Sequence, residues 1–471
     1  MNEDKQIRSV RGTRDLLPGE TETWDVVEGV VREVMALYQY REIRTPIFEE
    51  TQLFARGIGE HTDIVTKEMY TFQDQGGRSL TLRPEGTAPV VRAYLEYRLS
   101  AQGTLDKFYY MGPMFRQEAP QKGRARQFHQ FGAEVIGTDA PEADAEVILL
   151  FLAVLDALAL DSWTLHLGSL GCRNCRPAYR EELTSFLKGV EDLLCEDCRA
   201  RIGTNPLRIL DCKREGCRLA TAKAPNQIDY LDQECSGHFE AVKTLLEDRS
   251  VPFTVDPRMV RGLDYYEKTT FEVLNPDLGA QDALCGGGRY DGLAEMIGGG
   301  ERIPGVGFAA GLERILLALD AVGGDLEFEP LCEVALVHVD DEARRRLFSL
   351  CDALRRSGVA CTMDLTPRSV KAQMREANRR EALLALIAGE KELRESAVTL
   401  KDLVDGTEET VSMERIVPVV LEKTTIYSGS TMPGALDPER RRGREPIEAR
   451  RAPVHFLQDA YLRAAAAGRC R

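Results

Sequence analysis

The stretch KFYYMGPMFRQEAPQKGRARQFHQFGAEVIG, residues 107–137, restricts the fold more than any other part of the chain. Two runs rich in aromatic and strand-forming residues flank APQKGRAR, a polar loop, so the stretch predicts an antiparallel hairpin. Successive strand side chains alternate between faces. Tyr110, Gly112, Met114, Arg116 and Glu118 therefore share one side of the first run, and Phe128, Gln130, Gly132 and Glu134 one side of the second. If the two sides coincide, a cation, two carboxylates, an amide and an aromatic ring line one surface. Glycines there leave room for a ligand to approach the backbone. A guanidinium fork suits phosphate oxygens and a flat ring suits a nucleobase. Lys122 and Arg126 read as ordinary loop charges.

The cations of this hairpin sit in an acidic chain of formal net charge -15. That balance argues against nonspecific coating of nucleic acid, but not against a partner that meets a local basic patch. With 471 residues, 43% apolar and 29% charged, the chain reads as a soluble globular protein of several domains. No apolar run approaches the ~20 residues of a membrane span. MNEDKQIRSV lacks the apolar core of a secretory signal, so a cytoplasmic location is expected. Twelve cysteines are too dilute for a disulfide framework and read as free thiols or metal ligands.

Along the chain, residues 21–40 have helical spacing with Val26, Val27, Val30, Val31, Val34 and Leu37 on one face. Pro46 interrupts a strand in REIRTPIFEE, and Gly76-Gly77 marks a hairpin turn. Helices are expected in PEGTAPVVRAYLEYRL and APEADAEVILLFLAVLDAL. A helical, cysteine-rich insertion follows, then the strands FTVDPRMV and TTFEVL, a glycine-rich stretch GGGRYDGLAEMIGGG, and a strand running into a helix at PGVGFAAGLERILLAL. From 331 onward strand and helix alternate, as in a compact α/β domain. Beyond 425 the chain turns to Arg, Pro and Gly and is expected to be a disordered tail.

FRQE followed by QFHQFGAEVIG resembles motif 2 of the class II aminoacyl-tRNA synthetases in its histidyl form. TLRPEGTAPVVRAY, RGLDYYEKTTFEV and GGGRYDGL resemble the histidyl family's amino-acid-binding segments. GVGFAAGLERI resembles class II motif 3, and RGTRDLLP the family's N-terminal stretch. The resemblance implies an α+β fold: a class II antiparallel-sheet catalytic domain with a helical insertion, and a C-terminal α/β anticodon-binding domain. The expected divisions are 1–170, insertion 171–250, 251–328, anticodon-binding domain 329–425, and tail 426–471. The implied activity is ATP-dependent activation of L-histidine and its transfer to the 3′-end of tRNA(His), with Mg²⁺, in a homodimer to whose interface the Pro46 region contributes.

By the same resemblance Arg116 and Arg261 are the catalytic arginines at the α-phosphate. Arg116, Glu118, Arg124, Phe128 and Arg314 belong to the ATP site, with Phe128 stacked on adenine. Glu85, Thr87 and Gln130 bind the α-amino group of histidine, and Glu134, Tyr265, Tyr266, Tyr290 and Arg261 complete the histidine site. The chemistry is coherent, since activation brings two anions together and fixed guanidinium groups with Mg²⁺ offset their repulsion. Neutral imidazole presents one donor and one acceptor, which a carboxyl and tyrosine hydroxyls can address.

CRNC and CEDC form two C-x2-C pairs, Cys172 with Cys175 and Cys195 with Cys198, with Cys212 and Cys217 nearby. Their spacing predicts one structural Zn²⁺ held by Cys172, Cys175, Cys195 and Cys198. Two rival readings share the fold. A regulatory subunit of ATP phosphoribosyltransferase characteristically lacks the anticodon domain and the histidine-specific Arg, and both are present here. A sensor domain fused to a kinase would bring kinase motifs, which do not occur.

Overall fold

The computed structural model describes residues 7–60, 62–99, 105–121, 123–323 and 332–430. Lys122, the boundary at 329 and residues 431–471 of the expected tail lie outside the described residues. The chain divides into two units, residues 1–324 and 325–471.

The first unit contains strands β1 (Arg41–Glu42), β2 (Phe48–Glu50), β3 (Thr71–Gln73), β4 (Ser79–Leu82), β5 (Asp106–Phe115) and β6 (Gln127–Ile136). It continues with β7 (Thr164–Ser169), β8 (Thr254–Val255), β9 (Glu267–Leu274), β10 (Ala283–Arg289) and β11 (Gly305–Gly311). A small sheet has the order β2-β4-β3, and a large one has the order β1-β5-β6-β11-β10-β9-β7-β8. The central pairs of the large sheet are antiparallel, while its edge pairs β1–β5 and β7–β8 are parallel. Pro46 lies between β1 and β2, which belong to different sheets, so the interruption read in the sequence is a change of sheet.

The β5–β6 register pairs Phe108 with Glu134, Tyr110 with Gly132, Gly112 with Gln130 and Met114 with Phe128. Directly paired residues point to the same side, so the two faces of the hairpin coincide. The same face runs on through β11 and β10, where Gly307 lies beside Glu134, Ala309 beside Gly132, and Gly286 beside Ala309. Gly286–Gly288, at the start of the glycine-rich stretch, are part of strand β10. On this face a Cβ at Gly132 would collide with the Tyr110 ring and one at Gly307 with the Glu134 carboxyl, so neither position has room for a side chain. The middle of the sheet is thus floored by very small residues.

The opposite face is apolar. Phe131 and Phe308 pack on Phe151 of the helix Pro141–Ala157, with ring centroids 6.2 and 5.4 Å from that of Phe151. Each such buried ring contributes roughly 1.5–3 kcal/mol. The helix Thr21–Leu37 buries Trp24, Val27, Val30, Val31, Val34 and Met35. Leu37, expected on that face, is exposed, because the helix ends there and Tyr38 begins a turn.

Residues 171–250 are largely helical, with helices Arg176–Gly189, Glu196–Arg201, Glu215–Ala220 and Gln233–Glu247. They have a small core of their own around Tyr179, Leu183, Leu187 and Ile209.

In the second unit, β12 (Val334–His338), β13 (Cys361–Met363), β14 (Leu384–Ala388), β15 (Ala397–Asp402) and β16 (Glu408–Ser412) form a sheet of order β13-β12-β14-β15-β16. The first three strands are parallel, and the last two add antiparallel. Side chains of Asp340 and Ser369 cap the helices Asp341–Arg356 and Val370–Arg379 by accepting from Ala343 and Ala372 N–H. Strand β16 was not expected from its sequence, EETVS, which buries only Val411. The last helix, Ile416–Ser430, runs past the expected boundary at 425.

Candidate functional site

Glu134 on β6 is completely buried and faces the start of the helix Thr87–Glu96. Thr87 Oγ1 donates to its Oε1 at 2.7 Å, and Tyr290 Oη to its Oε2 at 2.6 Å. A Cβ at Gly307 would collide with this carboxyl, so the neighbouring strand must carry glycine there. Burial pushes the Glu134 pKa up to about 8, although the Tyr290 and Thr87 hydroxyls oppose the shift. Near neutrality the free site therefore holds a largely protonated carboxyl, able to donate or accept.

Glu85 is buried beside it. Its oxygens accept from Thr87 N–H at 2.7 Å and Ala88 N–H at 3.0 Å, two of the unpaired donors of a helix start. Burial raises its pKa and these backbone bonds oppose the rise. Tyr265 Oη donates to Glu85 Oε2 at 3.4 Å. The rings of Tyr265 and Tyr266 lie 4.8 Å apart, and those of Tyr265 and Tyr290 6.0 Å. Gln130 Oε1 is buried with no hydrogen-bond partner among the described residues. An unpaired buried acceptor is costly unless a ligand donates to it.

The arginines gather on the other side. Arg116 Nε donates to Pro84 O at 3.0 Å, and its guanidinium lies 5.2 Å from the Phe128 ring centre. Arg124 pairs with Glu118 at 3.1 Å, and Arg116 lies 3.8 Å from the same carboxylate. Arg314 donates to Ala283 O at 2.6 Å and to Gly123 O at 3.3 Å. Burial lowers its pKa, and the positive fields of Arg124 and Arg116 lower it further. Three guanidinium groups that repel one another across a single carboxylate make a site suited to a polyanion. Arg261 pairs with Glu272 and stands 5.5 Å over the Tyr266 ring. A Cβ at Gly286 would collide with its guanidinium.

Two groups of residues escaped the sequence reading. Arg289 is fully buried, and its Nε donates to Asp144 Oδ2 at 3.0 Å. Its Nη1 donates to Thr138 O at 2.9 Å and Asp291 Oδ1 at 3.1 Å, and His238 Nε2 lies 3.1 Å from Asp144 Oδ1. This network fastens the insertion's last helix to the helix Pro141–Ala157 and to the strand that leads into Tyr290. Glu313 accepts His129 N–H at 2.9 Å and lies 3.0 Å from His129 Nδ1, anchoring the helix of Arg314 on β6. Arg289 lies inside GGGRYDGL and Glu313 inside GVGFAAGLERI, which was the available signal.

The expected cysteine set is corrected. Cys195 and Cys198 gather with Cys212 and Cys217, whereas Cys172 and Cys175 gather with Cys235 and Asp232. The helix Arg176–Gly189 separates the two pairs. A helix of that length rises about 20 Å, so Cys172, Cys175, Cys195 and Cys198 do not share one ion.

Residues 12–315 match the family model described as Histidyl-tRNA synthetase, and residues 333–423 one described as Anticodon binding domain. The chain is 48% identical over 411 residues to the histidine–tRNA ligase of Halothermothrix orenii, covering 87% of this chain and 98% of that one. It is 49% identical over 417 residues to the enzyme of Desulfitobacterium hafniense, covering 88% and 98%. Among solved structures it resembles apo S. aureus histidyl-tRNA synthetase, with TM-score 0.76, 39% identity, and coverage of 88% of this chain and 100% of that one. An ATP phosphoribosyltransferase regulatory subunit/histidyl-tRNA synthetase from Bacillus halodurans shares the fold at TM-score 0.59 and 22% identity, covering 82% and 100%.

Proposed function

The chain belongs to the histidyl-tRNA synthetase family, a histidine–tRNA ligase with a class II catalytic unit and an anticodon-binding unit, and from that premise we propose how its residues do the work. Arg116 and Arg261 hold the α-phosphate of ATP while the histidine carboxylate attacks it. Arg124 and Arg314 hold the outer phosphates, and Phe128 stacks on adenine. Fixed cations suit this step because they are charged before the reaction and need no reorganisation as charge develops. Mg²⁺ would add further neutralisation of the phosphates. Glu118 and Glu272 are the carboxylates on this side that would hold the ion, and each is ion-paired to an arginine.

Glu134 and Tyr290 would address the imidazole ring, with Tyr265 and Tyr266 walling the pocket. The Glu134 carboxyl can meet either ring nitrogen, as donor or acceptor. Gln130 Oε1, with Glu85 and Thr87, would receive the α-ammonium. The single observation that supports this reading best is the buried Glu134 carboxyl, held by Thr87 and Tyr290 on the same sheet face as Gln130. An apolar amino acid would leave that carboxyl unmatched and be rejected.

We further propose a homodimer working in the cytoplasm. Exposed Ile47, Phe48 and Phe72 lie beside Pro46, with Phe48 and Phe72 6.4 Å apart, a surface that suits a subunit contact. Among the described residues no helix is long and apolar enough to cross a membrane. The regulatory-subunit reading has less support, since the relatives in Halothermothrix orenii and Desulfitobacterium hafniense are ligases and the anticodon-binding unit is present. The test is charging of a tRNA(His) transcript with each of the amino acids. Histidine alone should be esterified, and failure to charge histidine would remove the proposal.

A further inference from the structure

We propose that the insertion is closed by two separate zinc ions, one held by Cys195, Cys198, Cys212 and Cys217, the other by Cys172, Cys175, Cys235 and Asp232. In each group the ligand atoms lie within 4.8 Å of one another. Four sulfurs at ~2.3 Å from a tetrahedral zinc are about 3.8 Å apart, so little movement is required. Cys172 and Cys175 Sγ are already 3.8 Å apart, and Asp232 Oδ2 is 3.5 Å from Cys172 Sγ. Every cysteine among the described residues is a free thiol, so none of these contacts is a disulfide.

Burial of thiols alone would not require this convergence, nor the way the backbone serves it. Asn174 N–H points at Cys172 Sγ at 3.3 Å, Asp232 N–H at Cys175 Sγ at 3.2 Å, and Cys195 N–H at Cys217 Sγ at 3.2 Å. Amide hydrogens aimed at sulfur favour the thiolate, the form that binds metal. Asp232 divides its carboxylate: Oδ1 caps the helix Gln233–Glu247 by accepting Cys235 N–H at 2.8 Å, and Oδ2 faces the sulfurs. Gly171, at φ +61°, brings the chain so near that a Cβ would lie 2.9 Å from Cys175 Cβ. Sulfur-rich, four-coordinate sites of this kind select zinc over hard cations.

The two sites answer different needs of the fold. The all-cysteine group links Glu196–Arg201 to Glu215–Ala220 across the short turn Pro206–Asp211. Helices of about six residues do not persist without tertiary support. The group that includes Asp232 joins Cys172 and Cys175, which lead into Arg176–Gly189, to the N-cap and first turn of Gln233–Glu247, closing the insertion at its base. Next to Cys175, Arg176 donates to the Tyr266 carbonyl, so this clip adjoins the strand that leads away from the proposed histidine pocket.

The experiment is elemental analysis of the full chain, purified reduced and without chelator. The expected content is about two zinc ions per chain, as two four-ligand sites require. Cys212→Ser with Cys217→Ser should lose about one ion and keep the other, and Cys235→Ser with Asp232→Asn should do the same independently. Should a variant fail to fold, cobalt titration of the wild type decides. Two equivalents bound with tetrahedral d–d bands and sulfur-to-cobalt charge transfer support the assignment. One ion, none, or iron in place of zinc overturns it.

Discussion

Tyr290 donates its hydroxyl to Glu134 across 2.6 Å, joining β6 to the residue just after β10 through the floor of the sheet. The bond places a phenol and a carboxyl side by side in a buried pocket. Tyr290→Phe should therefore leave the fold intact and weaken recognition of the substrate ring. One lost hydrogen bond to such a group predicts a fall of about 10- to 100-fold in kcat/KM for histidine. Steady-state exchange kinetics at varied histidine would measure it, and an unchanged kcat/KM would separate Tyr290 from recognition.

The same carboxyl should leave a signature in stability. Its folded pKa, about 8, lies above the ordinary value of 4.5 because it is buried. A raised folded pKa contributes stability that is complete below about 4.5 and lost as pH rises to about 8. Glu134→Gln does not titrate, so its melting temperature relative to wild type should climb between those pH values and level off above them. Its histidine activation should nonetheless fall. Thermal melts without histidine across this range check the sign, and a difference that stays flat would contradict it.

Gly286→Ala tests the floor. The new methyl would displace the Arg261 guanidinium from its place beside Glu272 and Tyr266. A displacement of about 1 Å in a positioning group can cost about 100-fold. Adenylate formation should fall by that order, while KM for ATP changes less. Single-turnover formation of the adenylate at varied ATP separates the two effects.

Asp144→Ala should destabilise the first unit by about 3–5 kcal/mol, because it leaves the buried Arg289 cation without its main counter-charge. Adding Arg289→Met should restore much of the loss. Urea melts of the single and double variants form the cycle that measures the coupling. Additive losses would mean that the network is not a unit.

The hairpin was legible because strand alternation is a local rule, and Tyr110, Gly112, Gln130 and Glu134 face one side as their spacing requires. The pairing of Gly307 with Glu134 was not, since β6 and β11 lie far apart in the chain, nor was that of Gly286 with Ala309, since the long connection between β10 and β11 sets no register. Arg289 looked like one more polar residue in a glycine-rich run. Its partner Asp144, and the His238 beyond it, lie on distant helices, and no local pattern links them. The cysteines show the same limit. C-x2-C spacing identifies each half-site, but which halves meet is decided by the rigid helix between them. The polar strand at 408–412 had too little apolar alternation to announce itself.

The central claim is that this pocket joins histidine to ATP with Arg261 at the reacting phosphate. ATP–pyrophosphate exchange in wild type and Arg261→Ala tests it most directly. The account predicts exchange that requires histidine and falls by about 100-fold or more in the variant, the scale seen when a transition-state charge stabiliser is removed. Histidine-dependent exchange that survives unchanged in Arg261→Ala, or its absence from the wild type, would contradict it.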